Sequence, residues 1–248
     1  MTLIEYSGVA YANLSIGSDS IKWIQKWPGR SQANENKVPT TIVYPKNESI
    51  PCSWGFLSEM SPERTAVGKD YKNWFKTYLD PLRLNQAQFS DRYGTPKSNA
   101  EVEKYYTDYL RLLYRHVETK LGPEIQGATW QQAKIEFVFA VPTTWSPTVV
   151  ETFRTVIYRA GFGSWPGHNI SMGLTEAEAA AVHTSIEASG IFKVSRYLRS
   201  DNHVASRSDS ILGKGCSSCL RCGRRNYGKP GSLYFRIRNI VLIQVFQR

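Results

Sequence analysis

No apolar run in this chain approaches the roughly 18 to 20 residues that a membrane-spanning helix needs. One such run, Ile240 to Ile243, is broken by Gln244. The opening residues, Met1-Thr2-Leu3-Ile4-Glu5, carry neither a basic segment nor a long apolar core, so nothing reads as a secretory signal. No membrane and a cytoplasmic location are the expectations. Cysteine is scarce, with 4 in 248 residues, and Cys52 lies far from Cys216, Cys219 and Cys222. That excludes a disulfide-stapled scaffold. In a cytosolic protein the Asn-x-Ser sequons at Asn13, Asn47 and Asn169 carry little weight. No internal repeat is visible either. What is present, 41% apolar and 12% aromatic residues, is enough for one sizeable core or two small lobes.

The net charge of +10 is unevenly spread. Residues 191–248 hold 12 Lys+Arg against 2 acids, Asp201 and Asp209, while the first 190 residues balance. Two compositions are therefore joined, a neutral body and a basic tail rich in Ser, Gly and Arg that contains three of the four cysteines. The division predicts a domain over 1–190 and an irregular segment over 191–248.

Along the body, Tyr6 to Leu14 reads as a strand, with a turn at Gly17-Ser18-Asp19 and a second strand from Ile21 to Trp27 closed by Pro28-Gly29. Lys37 to Tyr44 gives another strand whose start is demoted by Pro39. Residues 52–57 and 71–79 are weaker strand or loop segments. Ser98-Asn99-Ala100-Glu101 is a capping box, followed by Val102, Tyr105, Tyr106, Tyr109, Leu113 and Val117 at helical spacing up to Gly122-Pro123. Ile135 to Val141 is a nearly continuous apolar strand. Ser146-Pro147 then opens a helix that stops at Gly161. A strand over Ile170 to Leu174 leads into a second capping box, Thr175 to Glu178, and an alanine-rich helix to about Ala188. Alternating buried-type strands and helices predict an α/β layered domain.

In such folds ligands gather at the strand-to-helix corners beyond the carboxyl ends of strands. Two corners are legible: Val141-Pro142-Thr143-Thr144-Trp145-Ser146-Pro147, and Gly173-Leu174-Thr175-Glu176-Ala177-Glu178. An acidic residue in a helix's first turn ordinarily complements the helix dipole, which is the plain reading of Glu176, and Glu178 completes the capping box. In the tail, Cys216, Cys219 and Cys222 have ligand-like spacing, yet a closed zinc site or iron–sulfur site wants a fourth ligand and only His203 is near. No metal is expected there. The plainest reading of the tail is a terminus under no folding constraint, with Tyr234 to Phe246 as β-prone apolar residues that add an edge strand or drive aggregation.

The stretch Phe137-Val138-Phe139-Ala140-Val141-Pro142, the helix end Arg159-Ala160-Gly161-Phe162, and Leu174-Thr175-Glu176-Ala177-Glu178-Ala179-Ala180-Ala181 resemble the centre of nucleotide-binding domains of the seventy-kilodalton heat-shock protein family. Tyr6 to Ala12 resembles the strand that follows that family's first phosphate loop. Trp27-Pro28-Gly29, Lys37-Val38-Pro39-Thr40 and Trp54-Gly55 resemble its divergent, fungal-type branch. The resemblance covers about residues 5 to 190 in order. It implies a partial actin-like ATPase (ribonuclease H-like) fold, first lobe only, with the 98–121 helix in that lobe's inserted subdomain. It also implies ATP and Mg²⁺ as ligands, with ADP as product, and client polypeptides or co-chaperones as partners. Carried over by residue, Glu176 matches the catalytic glutamate that organises metal-bound water, Tyr6 and Lys76 fall on cofactor-binding positions, and Pro142 on a hinge proline. For Lys76 the competing reading is an ordinary surface lysine, and for Pro142 a simple strand terminator.

The departures matter as much. The family's phosphate loop, Asp-x-Gly-Thr-Thr, is replaced by Met1-Thr2-Leu3-Ile4-Glu5, and Glu5 sets a negative charge where a triphosphate would lie. The second phosphate loop and second lobe do not follow Ala188. An ATP-binding, chaperone-like fragment without ATPase activity is the expected function. Uncovered sheet edges make it marginally stable and prone to aggregate. The rival is a non-enzymatic protein whose basic tail holds nucleic acid or another polyanion; nucleic acid is the less favoured partner.

Overall fold

The computed structural model describes residues 5–13, 21–60, 68–90, 95–175, 178 and 239–246. They form a mixed α/β structure built on a six-stranded sheet and a separate three-stranded one. Residues up to 179 and from 236 onward belong to the same compact unit.

The large sheet runs in the order β2 (Lys22–Trp23), β1 (Tyr6–Asn13), β9 (Asn239–Phe246), β7 (Ile135–Val141), β8 (His168–Thr175), while β3 (Val38–Pro39) pairs with β1. β9 is antiparallel to β1, from Tyr6↔Phe246 to Asn13↔Asn239, and parallel to β7, from Ile135↔Asn239 to Phe139↔Ile243. The expectation of an irregular 191–248 tail fails at Asn239–Phe246. This segment is an interior strand, and no edge strand, because among the described residues it alone joins the β1 side of the sheet to the β7 side. β9 thereby pairs one edge each of β1 and β7, while β8 stands at the end of the sheet among the described residues.

β7 and β8 are parallel neighbours, with a register shift between Val138 and Ala140. They are connected through α5 (Pro147–Ala160), so the segment is a β–α–β crossover. The Ser146 side chain accepts from the Val149 N–H at 3.4 Å, Pro147 occupies the first helical position, and Gly161 closes the helix at φ 109. A left-handed residue after the last turn is the conformation glycine tolerates without a Cβ penalty.

The long helix α4 (Asn99–Leu121) follows its sequence signals closely. Ser98 caps it by accepting from the Glu101 N–H at 3.3 Å, and the Glu101 carboxylate turns back to the Lys97 N–H at 2.6 Å. Its apolar face carries Val102, Tyr106, Tyr109, Leu110, Leu113 and Val117, all fully buried. Tyr106 stacks on Phe153 of α5 with ring centres 5.2 Å apart, and Phe75 sits 5.5 Å from both Tyr106 and Tyr109. Aromatic pairs of this kind add about 0.5 to 1.5 kcal/mol each beyond area burial.

Other segments depart from expectation. The Ile21–Trp27 strand shrinks to Lys22–Trp23, because the chain swings Ile24 and Trp27 into the core, where the Trp27 indole N–H donates to the Glu35 carbonyl at 2.6 Å. Lys37–Tyr44 divides into β3 and β4 (Ile42–Pro45). The break falls at two buried threonines. The Thr40 N–H donates to the Glu5 carbonyl at 2.8 Å, and the Thr41 hydroxyl donates to the Gly55 carbonyl at 3.2 Å. β4 then forms the small antiparallel sheet with β5 (Ser53–Trp54) and β6 (Lys69–Lys72). The weak 52–57 and 71–79 segments become β5 with the one-turn helix α1 (Phe56–Glu59), and the end of β6 with α2 (Phe75–Tyr78). α3 (Pro81–Phe89) was not expected, although Asp80-Pro81 is a helix-start signature: the Asp80 carboxylate accepts from the Leu82 N–H at 3.0 Å. Among the described residues no helix is long and apolar enough to cross a membrane.

Candidate functional site

The carboxyl ends of β7 and β8 lie side by side, with Val141 opposite Thr175. Each strand runs straight into a corner. After β7 the chain turns at Pro142, whose carbonyl accepts from the Trp145 N–H at 3.2 Å, and α5 begins two residues later. After β8, Thr175 and Glu178 form the anticipated capping box: the Thr175 N–H and hydroxyl both donate to Glu178 Oε2 at 2.9 Å, and the Glu178 N–H donates back to the Thr175 hydroxyl at 3.2 Å. These bonds hold the Glu178 carboxyl below its usual range. Glu176, the expected catalytic residue, lies outside the described residues, as do the tail cysteines and the turn at 17–19.

Against the first corner lies a cleft of about 260 Å³, lined by Lys76, Thr77, Asp80, Arg83, Pro142, Thr144 and Trp145. Lys76 comes from α2, Arg83 from the first turn of α3, and Pro142, Thr144 and Trp145 from the β7–α5 corner. Lys76 and Pro142, which the resemblance singled out from distant parts of the sequence, thus share one wall-to-wall space. Lys76 is no surface lysine: the residue is only 3% exposed. Trp145 is fixed edge-on against Phe153, with ring centres 5.3 Å apart.

Glu5 sits behind this cleft and is fully buried. Its Oε1 accepts from the Thr77 N–H at 3.0 Å and from the Thr77 hydroxyl. Its Oε2 is buried and meets no hydrogen-bond donor among the described residues. Burial pushes the Glu5 carboxyl above its ordinary range, while the Thr77 hydroxyl and the Lys76 charge pull it part of the way back. The carboxylate expected to oppose a bound triphosphate is therefore turned inward, held by Thr77 and facing the Lys76 charge. Tyr6, the other cofactor-binding position, does not line the cleft. It pairs in the sheet with Pro39 and Phe246.

The cleft is lined by two cations, Lys76, which is buried and faces Glu5, and Arg83, and by the Thr144 hydroxyl. The Thr77 hydroxyl is committed to Glu5 and the Asp80 carboxylate to its helix cap. Sites for drug-sized ligands usually measure about 300 to 1,000 Å³, so this space suits a phosphate-sized anion and falls short of a whole nucleotide. The residues do not fit Mg²⁺. Among the described residues Asp80 is the only carboxylate lining the cleft, and no three His, Cys, Asp or Glu side chains come together as a metal site.

Thr77, Asp80, Arg83 and the inward Glu5 were missed by sequence reasoning. Asp80-Pro81 marked a helix start nearby, but a buried lysine and a buried glutamate leave no local trace in a sequence. The chain matches no protein-family model, no curated protein and no solved structure.

Proposed function

We propose that this chain is a partial first lobe of an actin-like ATPase of the heat-shock-70 type, one that takes up the phosphate end of ATP or ADP weakly and does not hydrolyse it. The observation that carries the reading is the meeting of Lys76 and Pro142 in one cleft beyond the carboxyl end of β7, in a β–α–β crossover. Such corners collect anionic ligands because backbone N–H groups and side-chain cations converge there. Lys76 and Arg83 supply positive charge and Thr144 a hydroxyl. When bound, a nucleotide would bring the triphosphate whose terminal bond the family cleaves. Among the described residues, Lys76, Arg83 and Thr144 would hold and orient the anion, and no carboxylate arrangement there would position a metal-bound water. On the same reading Glu176 keeps its match to the family's catalytic glutamate, Pro142 keeps its hinge place at the end of β7, and client polypeptides or co-chaperones remain the partners.

The test is a phosphate and ADP titration followed by amide NMR, beside a steady-state ATPase assay. Shifts confined to 76–83 and 142–145, abolished by Lys76→Met, with turnover at background, are expected. Mg²⁺-dependent hydrolysis lost on Glu176→Gln would refute the inactive reading. Absence of any shift at millimolar phosphate would refute the binding one.

A second reading, polyanion binding through residues 191–248, is favoured by one observation, the 12 Lys+Arg against 2 acids there. It requires binding that weakens steeply with salt and is lost when the basic residues between 193 and 229 are neutralised.

A further inference from the structure

β1 and β7 do not pair with each other. Among the described residues, every strand pairing between the two halves of the large sheet passes through β9, which pairs with eight residues of β1 along one edge and with Ile135 to Phe139 of β7 along the other. Taken away, β9 would leave two edges facing each other across a gap of about 9.6 Å, two strand spacings. Its sequence, Asn239-Ile-Val-Leu-Ile-Gln-Val-Phe, is apolar at both alternating sets of positions, the pattern of a strand covered on both faces.

The other strands of the large sheet are tied closely to a sequence neighbour. β7 and β8 are clasped by α5, and β1 and β2 follow one another directly. β9 alone is attached to its neighbours through a long connection, residues 176–238. We propose that the slot between β1 and β7 is a strand-acceptor site whose occupant is interchangeable between copies: the Asn239–Phe246 strand of a second copy fills it as the chain's own does, giving a reciprocally exchanged dimer.

Both states make the same strand pairings, so contact energy does not choose between them. The choice falls to concentration. A strand tethered to its own slot competes with a second copy at an effective concentration of the order of millimolar. A second copy therefore competes once the protein approaches that range. Exchange of this kind depends on sheet topology alone and is independent of the nucleotide reading.

The experiment uses full-length chains in which Cys52, Cys216, Cys219 and Cys222 are replaced by serine. Ala12 and Ile240 are register partners, and directly opposed antiparallel residues have Cα atoms about 4.5 to 5.5 Å apart, within disulfide reach. One chain carries Ala12→Cys, another Ile240→Cys, and a third carries both. They are unfolded, mixed, refolded at about 1 µM or about 1 mM, and oxidised. The expected result is that the double variant closes within one chain at the low concentration. The mixed single variants should give a cross-linked pair that is under about a tenth of the material at 1 µM and about a quarter near 1 mM, since only half of randomly formed dimers join the two variants. The proposal is overturned if the mixed pair stays unlinked at both concentrations while the double variant closes on itself. It is equally overturned if the double variant forms no disulfide at either, since β9 then does not lie beside β1. Light scattering of the unsubstituted chain, kept reduced, tests exchange without any cross-link: a dimer fraction that grows with refolding concentration supports it, and a monomer throughout refutes it.

Discussion

The Glu5 carboxylate accepts a hydrogen bond from the Thr77 backbone N–H at 3.0 Å, joining the start of β1 to the one-turn helix that carries Lys76. The contact links residues far apart in sequence and closes the back of the cleft. It also leaves one buried carboxylate oxygen, Oε2, without a donor among the described residues.

That arrangement makes folding sensitive to pH in a definite direction. Burial raises the Glu5 pKa above its ordinary 4.5, so the folded state binds the proton more tightly than the unfolded chain does. The stabilising contribution is complete below pH 4.5 and is lost as pH rises through the folded value. Urea unfolding between about pH 4.5 and 8 should show this loss in the wild type and a flatter profile in Glu5→Gln. A Glu5→Gln profile that parallels the wild type would place the pH dependence elsewhere.

His116 acts in the opposite sense. It stacks on Trp27 with ring centres 5.1 Å apart, and its Nε2 donates to the Lys26 carbonyl at 3.0 Å. Burial pulls its pKa down from 6.5 to about 4, and the Lys120 charge contributes to the fall against the Lys26 hydrogen bond. The unfolded chain therefore binds the proton more readily, and stability present above pH 6.5 is lost as pH falls toward 4. Because the ring is only half-buried, screening limits the effect to roughly 1 to 2 kcal/mol. His116→Gln should remove that acid-side slope in thermal melts and leave the Glu5 slope untouched.

Asp108 is the most heavily engaged carboxylate of the core. It accepts from the Tyr44 hydroxyl at 2.8 Å, from Lys104 at 2.8 Å and from Arg111 at 2.7 Å. Asp108→Ala would strand the buried Tyr44 hydroxyl and is expected to cost about 2 to 4 kcal/mol, at the lower end because both cations are partly exposed. Asp108→Asn keeps an acceptor for Tyr44 and should cost roughly half as much. Equal midpoints for the two variants in urea would show that charge, not the Tyr44 bond, dominates.

Two glycines should separate backbone strain from collision. Gly161 caps α5 in the left-handed region, and an added Cβ would meet only the Tyr114 ring at 3.6 Å. Gly161→Ala is expected to cost about 1 kcal/mol. Gly55 has φ +58, and an added Cβ would lie 2.6 Å from Val38 Cγ2. Gly55→Ala meets strain and overlap together and should cost about 2 to 4 kcal/mol. Comparable losses in thermal melts would contradict this ordering.

The legible parts of the fold were those marked by local chemistry. Ser98 with Glu101, Gly122-Pro123, Ser146-Pro147 and Gly161 marked both ends of the two long helices, and Thr175 with Glu178 marked the second corner. Long-range pairings were not legible. Lys37 to Tyr44 reads as one strand, and nothing in that stretch says that Thr40 bonds to Glu5 and Thr41 to Gly55, so the split between two sheets stayed hidden. β9 looked like a loose apolar end because both of its partners lie far back in the sequence. At the cleft, Pro142, Thr144 and Trp145 were visible as a corner. Lys76 stood out only by resemblance, and Arg83 and the inward Glu5 by nothing, since each reaches its place through tertiary packing.

The pairing of Tyr6 with Phe246 has a kinetic meaning. Contacts of such sequence separation slow folding, because loop entropy is lost before any reward arrives. The α4–α5 pair and the β5–β4–β6 sheet join segments much closer in sequence and can assemble early. β9 then enters last, into edges already positioned to receive it. Substitutions in β9 should therefore speed unfolding and leave the refolding rate nearly unchanged, the mark of a strand absent from the rate-limiting barrier.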